Sequence, residues 1–219
     1  VFIMRTSYVL PLVAAAVLLG SGCASMYYDT MEKMGVHKRD IMVDRVESAR
    51  DSQKEAKQEF ANALEQFKSV VSIKGGDLEA KYNKLNAALQ KSETRATEVR
   101  DRIDAVESVS EALFKEWKAE LKQYSNTELR RSSEQQLKDA QTRYQALMAA
   151  MKIAESRIDP VLQPLRDQVL FLKHNLNAKA IGALTDEVAS IGAKVDDLVR
   201  DMEASIKEAD AFIATLGKE

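Results

Sequence analysis

Along most of the chain, apolar and small residues recur in alternating steps of three and four positions, the spacing that turns one helix stripe toward a partner helix. One run reads Met42, Val46, Ala49, Gln53, Ala56, Phe60, Ala63, Phe67, Val70 and stops before Gly75-Gly76. A second extends from Leu78 through Leu85, Leu89, Ala96, Val99, Ile103, Val106 and Leu113 to Trp117, with Leu121 and Tyr124 after a one-residue drift. A third takes Leu137, Ala140, Tyr144, Leu147, Met151, Ala154 and Ile158, and a last takes Ile181, Leu184, Val188, Ile191, Val195, Leu198, Met202, Ala209, Phe212 and Leu216. Between the stripes, charges of opposite sign interleave, as in Glu55, Lys57, Glu59 or Arg100, Asp101, Arg102, Asp104, which describes solvated helix faces. The pattern predicts an all-α fold: an elongated antiparallel helical bundle, or coiled coil, of three to four long helices over residues 38–219. At 1.5 Å per residue its longest helix would reach about 70 Å, a rod rather than a sphere.

Helix punctuation sets the expected boundaries. Gly75-Gly76 permits a reversal and Asp77 can cap the next helix, so the first two helices form an antiparallel hairpin. Ser125-Asn126-Thr127-Glu128 has the form of a capping box opened by Ser125. Asp159-Pro160 suits an N-cap followed by proline at the first helical position; a kinked continuous helix is the alternative, because Ile158, Val161 and Leu165 keep their apolar phase across both prolines. At His174-Asn175-Leu176-Asn177 the repeat slips by two residues, which predicts a kink or local unwinding.

Composition removes several functions. Eight glycines and three prolines in 219 residues are too few for a sheet protein's turns. A net charge of −2 carries no basic excess, so no nucleic-acid partner is expected. The single cysteine excludes a disulfide framework and a CxxC metal site. His37 and His174 lie more than a hundred residues apart, and no GxxxxGK[ST] phosphate loop is present. The expectation is a non-enzyme without catalytic residues, cofactor or metal.

The N-terminus supplies the most specific motif. Arg5 precedes a twelve-residue apolar run, Tyr8 to Leu19, then Gly20-Ser21-Gly22-Cys23. The run is shorter than the roughly 20 residues a bilayer crossing needs, so a permanent transmembrane anchor is the weaker reading. It reads as a lipoprotein signal over residues 1–22, with Met4 as the start or, alternatively, a start at or upstream of Val1, and with Cys23 as the lipid acceptor. The motif departs from the usual lipobox in having Gly20, not leucine, three residues before the cysteine. Residues 23–37 form the lipidated tether. Its stripe of Tyr27, Tyr28, Met31 and Met34 would either pack on the bundle or lie in the headgroup layer. Ala24 and Ser25 after the cysteine include no aspartate of the kind that retains lipoproteins in the inner membrane, so the expected location is the periplasmic face of the outer membrane.

A second functional segment is Pro160 to Leu184, whose apolar residues, Leu170, Phe171 and Leu172 among them, exceed what a two-helix seam needs. It is either the centre of a bundle or a partner or homodimer face, with Leu172, His174, Asn175, Leu176 and Asn177 as the partner or register residues. Gln53, Ser92, Ser110 and Ser205 at seam positions are read as register devices.

Cys23, the stretch YSNTELRRSSEQQL from Tyr124 and the stretch DPVLQPLRDQVLFLKHNLNAKAI from Asp159 together resemble a family of bacterial lipoproteins, domain-of-unknown-function family 2959. The resemblance implies an all-helical Gram-negative envelope protein and brings no catalytic residues. Some members carry the label of DNA-repair ATPase, which does not fit a chain with an export signal and no phosphate loop. The expected function is a periplasmic scaffold, spacer or binding module. Its partners would be the lipid membrane through acylated Cys23 and either an unknown envelope protein or a second copy. The rival classes are a cytoplasmic coiled-coil protein of chromosome maintenance and a membrane-shaping helical module.

Overall fold

A computed structural model describes residues 27–28, 30–72, 77–175 and 178–216. Among the described residues five long helices carry the fold: α1 (Lys38–Ser72), α2 (Leu78–Glu120), α3 (Thr127–Ser156), α4 (Ile158–His174) and α5 (Ala178–Leu216), with a 3-10 turn at Leu121–Gln123. Among the described residues there is no strand. Helix α1 packs on α2 and on α5, while α3 and α4 together pack on the same two helices from the other side. The result is an up-down-up-down four-limbed bundle in which α3 and α4 form the third limb. Each neighbouring pair of limbs is crossed by ion pairs: Arg95 to Glu55, Arg100 to Asp159, Arg157 to Asp201, and Arg50 to Asp210 with Lys57 to Glu203. All lie on the exposed rim and stabilise little; their contribution is to favour one antiparallel pairing over its slipped alternatives.

The heptad stripes are the core. Met42, Val46, Ala49, Ala56 and Phe60 on α1 are fully enclosed, as are Val99, Ile103 and Val106 on α2, Leu147, Met151 and Ala154 on α3, and Leu198 and Met202 on α5. Each large side chain so buried contributes about 1.5–3 kcal/mol, and the frequent alanines let the limbs approach closely. Gln53, Ser92, Ser110 and Ser205 are buried at the seam too. Ser92 and Ser110 donate to carbonyls of their own helix, those of Ala88 and Glu107.

The limb ends follow local chemistry, and three of them differ from the sequence expectation. Asp77 caps α2 as expected, its carboxylate accepting from the amides of Glu79 and Ala80. The cap of α3 is Asn126, not Ser125: its side-chain oxygen accepts from Glu128 and Leu129, and the helix starts one residue later than a Ser125 cap requires. The break in the third limb lies at Arg157, two residues before Asp159. Pro160 has no N–H for the Ser156 carbonyl and its ring crowds that carbonyl, so the ladder fails one turn ahead of the proline. Arg157 keeps an α-type backbone, φ −83° and ψ −12°, and both helices pack on α2 and α5. The slip after His174 is a full reversal rather than a kink, since α5 returns alongside α4 and α3. Asn175 closes α4 there, its side-chain amide donating to the Phe171 carbonyl at 3.0 Å.

Ahead of α1, a helical turn at residues 30–33 ends in a Schellman motif. Val36 N–H donates to the Met31 carbonyl and Gly35 N–H to that of Glu32, with Gly35 at φ 85°. Met31 and Val36, the apolar pair that accompanies such a cap, both pack on the core.

Candidate functional site

The bundle has two ends of different character. At the corner end lie the start of α1, the α2–α3 turn and the end of α5; at the tip end lie the end of α1, the start of α2, the end of α4 and the start of α5. Cys23 falls outside the described residues, but Tyr28, five residues on, is held on the half of the bundle nearer the corner end. The Tyr28 side chain is buried, and its hydroxyl lies 3.2 Å from the Ser108 hydroxyl on the flank of α2. Tyr27 stacks edge-on against Tyr28 and stays exposed, as does Met34. The tether stripe therefore divides: Tyr28 and Met31 pack on the bundle, Tyr27 and Met34 do not.

A buried lysine locks this segment. Lys38, 3% exposed, bridges Glu32 at 2.7 Å and Glu116 at 3.0 Å, joining the N-terminal turn, α1 and α2. The two carboxylates share one ammonium unequally. Burial raises the pKa of Glu32, but the hydrogen bonds with Lys38 and Glu116 and the attraction of the Lys38 ammonium together outweigh it and hold the group below its ordinary value. Burial and the neighbouring Glu32 push Glu116 above its ordinary value despite Lys38. The fixed position of Lys38 depends on Gly35 turning the chain back ahead of α1.

Beside this clamp, a cavity of about 260 Å³ opens among the ends of α2, α3 and α5, lined by Phe114, Trp117, Tyr124 and Phe212 with Arg39 and Glu120 at its rim. Trp117 donates to the Ser133 hydroxyl at 2.8 Å, and Phe114 meets Tyr144 edge-on at 5.4 Å. Beyond it the α2–α3 corner is exposed without interruption over residues 122–132.

At the tip end the expected partner residues separate. Leu172 is fully buried and belongs to the core, His174 is exposed, and Asn175 is the half-buried helix cap already described. Leu176 and Asn177 lie outside the described residues. The outward stripe of α4 is instead Asp167, Leu170, Phe171 and His174, at the spacing of one helix face. Leu170 is 58% and Phe171 44% exposed, so the apolar excess of this segment is covered on one side only.

A family model described as a protein of unknown function, DUF2959, matches residues 27–216. The chain belongs to that family. The match starts at Tyr27, one residue before the buried Tyr28, and ends with the last residue of α5, so the DUF2959 unit is the whole bundle together with its N-terminal turn. No curated protein matches the chain. Among the described residues of this DUF2959 member, no helix is long and apolar enough to cross a membrane. No group of three or more His, Cys, Asp or Glu among them could hold a metal ion.

Proposed function

We propose that this DUF2959 member is an outer-membrane lipoprotein acylated at Cys23, and that its bundle acts in the periplasm as a non-enzymatic spacer with a protein-contact face near its tip. The observation that carries the reading is the separation of two features along one packed bundle. Five residues after Cys23 the chain is packed on the bundle, at Tyr28 beside Ser108. The exposed Leu170 and Phe171 lie toward the other end: Arg166, one turn before them, pairs with Glu93, 15 residues along α2 from Ser108 and so about 22 Å from the Tyr28 contact. Two large apolar side chains on an outward face beside His174 suit a protein partner in the envelope.

The test is fractionation of the native host together with intact mass of the purified protein. The wild type should sediment with outer-membrane markers and carry acyl mass on a chain starting at Cys23, while Cys23→Ser should accumulate as the unprocessed precursor. Soluble cytoplasmic protein with no lipid sinks the reading. A photo-crosslinking residue at Phe171 should trap an envelope protein in intact cells, whereas the same residue at Thr142, on the exposed mid-face of α3, should not.

A further inference from the structure

The corner end carries a surface that the spacer role leaves unused. From Lys122 to Ser132 every side chain is exposed, and the stretch combines apolar Tyr124 and Leu129 with basic Lys122, Arg130 and Arg131 against a single acidic residue, Glu128. Arg130 shares its charge with Glu134 at 2.9 Å, while Met34, 73% exposed, adds a third apolar group from the Schellman turn at the start of α1. These residues come from two separate turns at one end. Aromatic and aliphatic side chains among lysines and arginines form the composition that settles at a membrane interface, apolar groups at the acyl boundary and cations on the phosphates.

Chain length decides which end can meet a bilayer. Five residues separate Cys23 from Tyr28, a leash of at most about 18 Å when fully extended. Tyr28 is fixed beside Ser108, and Tyr124 lies 16 residues further along the α2 limb, about 25 Å toward the corner. The start of α2 lies 30 residues, about 45 Å, the other way. With lipid on Cys23, the leash is shorter than the distance from its attachment to either end. An upright bundle with its tip toward the bilayer would drive about 27 Å of protein into it, whereas the opposite orientation brings the corner only about 7 Å past the headgroup surface.

We infer that the α2–α3 corner is a membrane-docking face, which seats Met34, Tyr124 and Leu129 in the headgroup layer of the bilayer that holds the Cys23 lipid and so stands the bundle up with its tip outward. The inference rests on acylation of Cys23 as proposed above. Each basic side chain near an anionic surface is worth about 1 kcal/mol, a factor of about five in the docked population. Neutralising Lys122 and Arg131 together should therefore lower the docked-to-undocked ratio about 25-fold.

The test uses the full acylated chain, whose Cys23 sulfur is blocked by its thioether, so that Leu129→Cys introduces the sole free thiol. The thiol is labelled with an environment-sensitive fluorophore and the protein is reconstituted into vesicles containing phosphatidylglycerol. The expected result is blue-shifted, brightened emission at position 129 and aqueous emission from the same probe at Phe171→Cys. Adding Lys122→Gln and Arg131→Gln should return the position-129 probe toward water with an unchanged melting curve, because all three sites are exposed. An aqueous probe at 129 on protein whose acyl mass is confirmed overturns the docking face and leaves the lipoprotein reading intact. A membrane-embedded probe at 171 overturns it as well, since the bundle then lies flat. Absence of acyl mass defeats the lipoprotein reading first and the docking with it.

Discussion

Gln53 is the residue whose replacement tests the packing argument most directly. It is fully enclosed on α1 between Ala49 and Ala56, and neither its amide nitrogen nor its oxygen has a hydrogen-bond partner among the described residues. The facing helix repeats the condition at Ser205, whose hydroxyl is likewise buried and unpaired. The Arg50–Asp210 and Lys57–Glu203 bridges bracket both residues, so the polar pair marks one stretch of the α1–α5 seam. An amide buried without partners costs about 1–3 kcal/mol. Methionine has nearly the same length and shape and carries no such cost, so Gln53→Met should stabilise the fold by about 2 kcal/mol. For a chain of this size that raises the melting temperature by about 4–8 °C. The measurement is thermal unfolding of the mature protein followed at the helical circular-dichroism band, with molar mass from light scattering alongside. If stability rises while mass becomes heterogeneous, Gln53 costs stability and specifies register, as a buried polar seam residue does in coiled coils. A melting temperature lowered by the substitution would show that the amide is hydrogen-bonded in solution and that the reasoning is wrong.

Two further predictions concern the ends. At pH 7, Glu32→Gln should destabilise the protein more than Glu116→Gln, measured by urea unfolding. The fold holds Glu32 below its ordinary pKa and so favours its charged form, a contribution present above the unfolded value near 4.5 and lost as the pH falls through the lower folded one. It holds Glu116 above its ordinary value and so favours the neutral form that glutamine mimics. Leu172→Asp should cost more than about 4 kcal/mol, because it combines the loss of a fully buried side chain with an unpaired buried charge; an unchanged melting temperature would show that the end of α4 is not packed.

The fold was legible wherever one property repeated often enough to average out local exceptions. Nine seam positions from Met42 to Val70 recur over four turns of the heptad, and all nine are buried. No single choice carries that result, and even Gln53 follows the phase against its own polarity. Boundaries depend on one or two residues and were correspondingly less legible. Ser125 and Asn126 are comparable caps by type, and only the backbone, extended at Asn126 with ψ 118° and helical from Thr127, selects between them. Asp159-Pro160 looks like a helix start, yet the proline's constraint acts on the carbonyl four residues earlier and moves the break to Arg157. The reversal after His174 has neither glycine nor proline to announce it. A two-residue slip fits a kink as well as a turn, and what decides is that Ile191, Val195, Leu198 and Met202 find their partners on α1 and α3 by coming back.

The candidate surfaces were harder to read, because exposure is a property of the assembled bundle and not of one helix. Leu170, Phe171 and Leu172 are consecutive apolar residues, and a helix rotates by 100° at each step, so they cannot all face one seam. Burial of Leu172 fixes which way the helix faces and leaves Leu170 and Phe171 outside. The same logic applies at the corner. Tyr124 continues the α2 repeat in sequence, but the helix gives way to a 3-10 turn at Leu121 and the residue leaves the seam for the surface. An apolar residue that continues a repeat after its helix has ended, as Tyr124 does, is turned out of the seam by the backbone and not by its own character.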